Sequence, residues 1–276
     1  MTQTESITAR SGDVTLAGEA AGDGPLVVLL HGLTATRRYV VMGSRLLERS
    51  GHRVVAYDAR GHGETSAPAD PGAYGYDALC DDLDAVLDAA GGGPAALVGN
   101  SMGAHTAAAY ALRRPERVAA LVAVGPAFDG PRHDAADLDA WDALAAGLER
   151  DGIDGFLAAW RPAVPERWRE TVVEVARQRL ARHRDLGAVA AALRVVPRSL
   201  PFGGMGDLEG IAAPALVVGS RDEADPGHPL AVAERWADLI PDARLVVEDE
   251  GSSPLAWQGA RLSRAVGEFL AEAGHS

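Results

Sequence analysis

Short apolar runs alternate with stretches of helical period along most of the chain. Residues 26–30, 95–98, 118–124 and 215–218 are apolar at every position, which predicts short strands buried on both faces. Residues 14–20 read as an earlier strand, 54–57 as a strand ending at Asp58, and 244–247 as a late one. Leu79, Leu83, Val86 and Leu87 recur at helical spacing and predict an amphipathic helix over 76–90, stopped by Gly91-Gly92-Gly93-Pro94. Further helices are expected over 39–50, 102–113, 230–240 and 257–270. This strand–helix rhythm predicts an α/β fold whose mostly parallel central sheet is flanked by helices on both faces.

The rhythm breaks between residues 126 and 206. Only helical patterns appear there: Leu138, Trp141, Leu144 and Leu148; then Phe156, Leu157 and Trp160; then Trp168, Val172 and Val175. The segment is expected to be a helical cap (126–206) inserted into a core made of 1–125 and 207–276. Such a cap would lie over the C-terminal edge of the sheet, where open α/β sheets place their ligand crevice. A helical layer that merely extends the core is the alternative.

Composition narrows the function classes. The 276 residues allow one large core. All 26 basic residues are arginine and the formal net charge is −13, so the overall field repels nucleic acid and anionic membrane surfaces. With no lysine, a phosphate loop ending Gly-Lys-Ser/Thr is impossible. Cys80 is the single cysteine, which excludes an intrachain disulfide and a cysteine-pair zinc site. Apolar runs are strand-sized, short of the roughly 20 residues a membrane span needs. Residues 1–10 lack the apolar run of a signal peptide. A soluble cytoplasmic protein is therefore expected.

The strongest chemical signal is Gly99-Asn100-Ser101-Met102-Gly103, which follows an expected strand and opens an expected helix. A sharp strand-to-helix turn strains the serine backbone and requires small neighbours, and Gly99 and Gly103 meet that need. The serine is then presented at a helix N-terminus, where free N–H groups favour developing negative charge. With it stand His31-Gly32-Leu33-Thr34, Asp58-Ala59-Arg60-Gly61-His62-Gly63 and Gly219-Ser220-Arg221-Asp222, each closing a strand. From about residue 26 to 269 the chain resembles the α/β-hydrolase fold family, serine-nucleophile branch with a helical cap. That resemblance implies Ser101 as nucleophile and the backbone N–H groups of Leu33 and Met102 as the oxyanion hole. It puts the triad acid at Asp222, with Asp225 and Asp129 as competitors. His31, Asp58, Arg60 and His62 are expected to organise their turns.

The chain departs from the family at the general base. The triad histidine normally follows the last strand, but here 245–247 leads into Glu248-Asp249-Glu250-Gly251-Ser252-Ser253-Pro254. Ser252 stands where the histidine belongs, and a serine hydroxyl holds its proton too tightly to act as a base near neutral pH. His228 is the expected replacement. It lies six residues after Asp222, a span of up to about 20 Å. His105, on the helix after Ser101, and a carboxylate of 248–250 follow it. No paired histidine spacing points to a metal, and nothing calls for a cofactor. The expected function is hydrolysis of a small ester, thioester or lactone through an acyl-enzyme on Ser101, the small-molecule substrate carrying an apolar portion. Lyase, C–C hydrolase or cofactor-free oxygenase chemistry on the same fold, or non-catalytic binding of a small molecule, are the alternatives. Oligomeric state is not legible.

Overall fold

Eight strands form one sheet in the order β1-β2-β4-β3-β5-β6-β7-β8. They are β1 (Glu5–Ser11), β2 (Val14–Ala21), β3 (Leu26–Leu30), β4 (Arg53–Tyr57), β5 (Ala95–Asn100), β6 (Val118–Val124), β7 (Ala215–Gly219) and β8 (Ala243–Val247). Strand β2 is antiparallel to both its neighbours, β1 and β4, and β3 through β8 run parallel to one another. The computed structural model describes residues 4–130, 134–249, 257 and 259–275.

The uniformly apolar strands are explained by two cores, one on each face. Val28, Leu30, Leu97, Leu121, Ala123 and Val217 face one cluster, completed by α2 (Tyr76–Ala89), α3 (Met102–Arg113) and α7 (Leu230–Leu239). The alternate residues Val27, Leu29, Ala96, Val98, Val122, Leu216 and Val218 face the other, completed by α1 (Leu46–Arg49) and α8 (Gly259–Glu272). Period-two side chains with both faces covered leave no polar position to mark a strand's orientation.

Two expectations for the first part of the chain need correction. Residues 5–11, for which the pattern predicts no element, form edge strand β1, of which Ala9 alone is buried. The helix expected over 39–50 is a short 3-10 turn at Arg37–Tyr39 and the single-turn α1. Met42 (φ 47°) and Gly43 (φ 72°) adopt left-handed backbone between them, which a right-handed helix cannot accommodate.

Between β6 and β7 the described residues contribute helices and no strand: α4 (Ala135–Ala159), α5 (Glu166–Leu180) and α6 (Leu186–Val195), with short 3-10 turns after them. Helix α4 is two helices joined at Asp151 and Gly152 (φ 62°). The halves meet so closely that a Cβ on Gly147 would lie 2.4 Å from the Gly155 carbonyl oxygen. Among the described residues, no helix is long and apolar enough to cross a membrane.

Polar groups buried behind the sheet's C-terminal edge fix the loops there. Arg60 grips the fully buried Asp82 of α2 with Nε and Nη2, at 2.8 and 2.6 Å, and donates Nη1 to the Ala73 carbonyl. Asp58 accepts from the Arg37 and Glu64 amides (2.8 and 3.0 Å) and from the Arg37 guanidinium. Removing one partner of a buried bidentate pair strands the other charge, which costs about 3–5 kcal/mol. Asp82→Ala is therefore expected to lower unfolding stability by about that much in urea titration. A loss within 1 kcal/mol would show that the pair does not hold this loop.

Acid should also weaken the fold. His31 is buried, and desolvation lowers its pKa to about 4 even though the Gly32 carbonyl hydrogen bond works the other way. Burial also lowers His62 and His183. These imidazoles are neutral in the fold and protonate more readily when it opens. Stability is thus full above about pH 6.5 and falls as pH drops toward 4, by about 3 kcal/mol for His31 alone. Urea midpoints at pH 7 and pH 5 check this; equal midpoints would contradict it.

Candidate active site

Strand order reverses beside β3, since β4 lies on one side of it and β5 on the other. A crevice opens at the C-terminal ends of such a pair, and both strands deliver their motifs there. Ser101 follows β5 with φ 51° and ψ −115°, a conformation that costs a non-glycine residue energy and persists only when its surroundings impose it.

Those surroundings are close-packed backbone. A Cβ on Gly99 would lie 2.2 Å from the Gly103 carbonyl oxygen, and one on Gly103 would lie 2.2 Å from that of Leu30. Strand β5, the first turn of α3 and the end of β3 thus touch main chain to main chain. Ser101 N–H donates to Val124 at the end of β6 (3.0 Å), and its carbonyl accepts the amide of His105 (3.0 Å).

The loop after β3 passes directly over the serine. A Cβ on Gly32 would lie 3.3 Å from Ser101 Cβ. His31 clamps this loop, Nδ1 donating to the Gly32 carbonyl (2.8 Å) and Nε2 accepting from the Ala59 amide (2.9 Å). From the helical segment, His183 Nε2 donates to the Thr34 carbonyl (3.0 Å), and its Nδ1 accepts from the Gly63 amide (2.9 Å). Thr34 itself is left-handed, φ 66°. Met102 is the first residue of α3, a position whose N–H has no partner within the helix. Leu33 lies on the Gly32 loop, its side chain packed between two apolar clusters, one of them built from α4 and α6.

The carboxylate on His228 is Asp225. Both Asp225 oxygens lie 2.8 Å from His228 Nδ1, which leaves Nε2 as the ring's other nitrogen. Burial pushes the Asp225 carboxyl up, but the His228 hydrogen bond, with the charges of His228 and Arg179, holds it below the usual range. Asp222 instead caps its own turn, accepting from the Ala224 amide (2.8 Å), while its amide donates to Ser220 Oγ (3.0 Å). The His228 ring packs on Gly125, where a Cβ would sit 3.4 Å from Cγ. Gly125 directly follows Val124, the residue bonded to the Ser101 amide. The imidazole therefore stands one residue from the strand end that holds the serine, without a hydrogen bond between the two side chains.

The other candidates are placed differently. His105 is 8% exposed and structural: its Nδ1 meets Tyr76 Oη (2.9 Å), and its Nε2 accepts from the Ala127 and Phe128 amides (3.0 and 3.1 Å). Both ring nitrogens are engaged, so it has none left for a substrate. Glu248, buried just past β8, accepts from Ser220 Oγ (3.0 Å) and the Arg221 amide (2.5 Å) through Oε1. Its Oε2 is buried without a partner among the described residues. Ser252, Glu250 and the rest of 250–256 lie outside the described residues. Trp168, expected to be a cap aromatic, donates Nε1 to Glu223 (2.8 Å) and so joins α5 to the loop carrying Asp222 and Asp225. His183 and Arg179 also belong to this neighbourhood and have no local sequence signature. The one hint at Arg179 is that it shares a helix face with the buried Ala176 and Leu180.

Similarity to known proteins identifies the fold family. The family model for the alpha/beta hydrolase fold matches residues 25–200. A 2-hydroxy-6-oxononadienedioate/2-hydroxy-6-oxononatrienedioate hydrolase of Burkholderia vietnamiensis is 33% identical over 80% of this chain and 77% of its own. The sn-1-specific diacylglycerol lipase ABHD11 of Mus musculus is 40% identical, over 41% of this chain and only about a third (34%) of that enzyme. A thermophilic esterase from Thermogutta terrifontis, solved with malate bound, superposes with TM-score 0.79 over 99% of this chain and all of that one, at 26% identity. With its sheet, its strained serine turn and two thirds of its length matched to one family model, the chain belongs to the alpha/beta hydrolase fold family.

Proposed function

We propose that this hydrolase-family protein cleaves a small carboxylic ester, thioester or lactone through an acyl-enzyme on Ser101. The observation that carries the reading is the strained Ser101 turn beside a His228–Asp225 pair, joined through Val124 and Gly125. His228 Nε2 accepts the Ser101 proton as Oγ attacks the carbonyl carbon, while Asp225 fixes the tautomer at Nδ1 and stabilises the imidazolium. The Leu33 and Met102 N–H groups receive the oxyanion of the tetrahedral intermediate. On collapse, His228 returns the proton to the leaving alcohol or thiol. Water, deprotonated by the same nitrogen, then releases the acid and regenerates Ser101. The helices between β6 and β7 act as a cap that selects substrates by size, and their partly buried Trp141 and Trp160 favour an apolar portion.

A second reading has one specific support. The relative from Burkholderia vietnamiensis is named as a hydrolase of a 2-hydroxy-6-oxo-dienedioate, and Ser101 and His228 are not hydrogen-bonded to each other. Cleavage of a C–C bond next to a ketone, with Ser101 and His228 handling protons on carbon, would use the same crevice. Relative rates on 4-nitrophenyl butyrate and a vinylogous 1,5-diketone separate the two readings.

Ser101→Ala should lower kcat on 4-nitrophenyl butyrate by about four orders of magnitude while leaving the thermal midpoint unchanged, since alanine fits the same turn. Retention of more than a few per cent of turnover would end the nucleophile assignment.

His228→Ala should be comparably damaging. Asp225→Asn should cost about 100- to 10,000-fold in kcat and Asp222→Asn much less, because Asp225 bonds the imidazole with both oxygens while Asp222 caps its turn. The reverse order of the two asparagine variants would move the acid to Asp222. A near-active His228→Ala would place the base elsewhere, with Glu248 next.

A further inference from the structure

The loop that crosses over Ser101 contains a residue that does not hold its shape unaided. Thr34 is left-handed at φ 66°, a conformation that a β-branched residue keeps only when its surroundings impose it. Inside the loop, the Ala35 amide donates to the Gly32 carbonyl (3.0 Å) and closes a turn around Leu33 and Thr34. Two imidazoles hold this turn from outside. His31 Nδ1 donates to the same Gly32 carbonyl (2.8 Å), and His183 Nε2 donates to the Thr34 carbonyl (3.0 Å). Among the described residues, His183 is the one hydrogen-bond partner of the Thr34 carbonyl. The Leu33 N–H shares a trans peptide plane with the Gly32 carbonyl and points away from it, so the orientation of this turn aims that N–H.

His183 is anchored at its other end. Its Nδ1 accepts from the Gly63 amide (2.9 Å), and the Arg184 amide donates to the Gly63 carbonyl (3.1 Å). One residue of the loop after β4 therefore pins two consecutive residues of the helical segment. Gly63 itself packs so tightly on Asp58 that a Cβ there would lie 2.1 Å from Oδ2. The His62 ring backs that of His183 edge-on, with centroids 5.5 Å apart and planes at 69°. Because Nδ1 must accept and Nε2 must donate, the His183 ring has a single neutral tautomer that serves both loops. It thus carries position from the braced turn after β4 to the strained turn after β3. It does so from the connection between α5 and α6, outside the core.

We propose that His183 is a positioning residue for the reaction. It holds the Gly32–Ala35 turn over Ser101, so that the Leu33 N–H is in place to receive the oxyanion only while the helical segment is seated on the core. The oxyanion role rests on Ser101 hydrolysis; the hold on the turn does not.

Two substitutions separate the two bonds of the ring. His183→Asn keeps an acceptor at the depth of Nδ1 and loses the donor to Thr34. His183→Gln keeps a donor at the depth of Nε2 and loses the acceptor for Gly63. Each is assayed below its thermal midpoint on 4-nitrophenyl butyrate and on the matching thionoester, whose sulfur accepts hydrogen bonds weakly and gains little from oxyanion donors. His183→Asn should lower kcat on the oxygen ester by about 10- to 100-fold with KM little changed, the loss that follows when an oxyanion donor is displaced. The loss on the thionoester should be much smaller, and His183→Gln should recover most of the oxygen-ester rate. A fall shared equally by both variants or by both substrates, or no fall, overturns the positioning role and leaves hydrolysis standing. If wild type turns over neither ester, the hydrolysis reading fails, and hydrogen exchange of the Ala35 amide decides the hold on the turn. Faster exchange in His183→Asn than in His183→Gln and wild type supports that hold, and equal exchange overturns it.

Discussion

The arrangement depends on a main-chain contact that admits no side chain. Gly99, Gly103 and the Leu30 carbonyl come together where β5 turns into α3 beneath the end of β3. Any Cβ there would overlap backbone oxygen, so β5 could not bend sharply enough to carry Ser101 into its left-handed conformation. Everything downstream follows from that bend. It points the helix N-terminus at the crevice, brings Ser101 against Gly32, and ties the serine amide to Val124, the residue before the Gly125 on which His228 packs.

Around this contact the loops are held by hydrogen bonds from neutral imidazoles more than by charge. His31, His62 and His183 lie in sequence, ring centroids 5.2 and 5.5 Å apart. Three protonated rings at that spacing would repel one another in a poorly solvated setting, and burial keeps them neutral. A neutral ring has one donor and one acceptor, which is what each loop needs: His31 and His183 each give a proton to one carbonyl and take one from an amide. The charged contributions sit at the flanks, with Arg60 on Asp82 and Arg37 on Asp58.

Much of this was readable from residue order. Doubly buried strands announce themselves as unbroken apolar runs, and the glycines flanking Ser101 state the need for close approach. What the chain order hides is which of several nearby side chains turns toward a shared partner. Asp222 and Asp225 sit three residues apart on one loop, and only the path of that loop decides that Asp225 meets His228 while Asp222 caps the turn. Edge strand β1 has no apolar run to mark it, because only Ala9 in it is buried. Periodicity predicts too long a helix over 39–50 because it is blind to two consecutive left-handed residues, Met42 and Gly43. His183 acts across a separation of more than a hundred residues from the two loops it bonds, and no local pattern encodes that.

His183 joins the helical insert to the core through both ring nitrogens, and the Arg184 amide adds a third link to the Gly63 carbonyl at 3.1 Å. These links end on the loops after β3 and β4, the first of which passes over Ser101, not on neutral scaffold. The insert is therefore not a detachable module. A chimaera that borrows this segment from a relative would have to transplant 183–184 together with the 31–36 and 58–65 turns as one cassette. Otherwise the graft would alter the 31–36 loop over Ser101 before it altered the walls of the crevice.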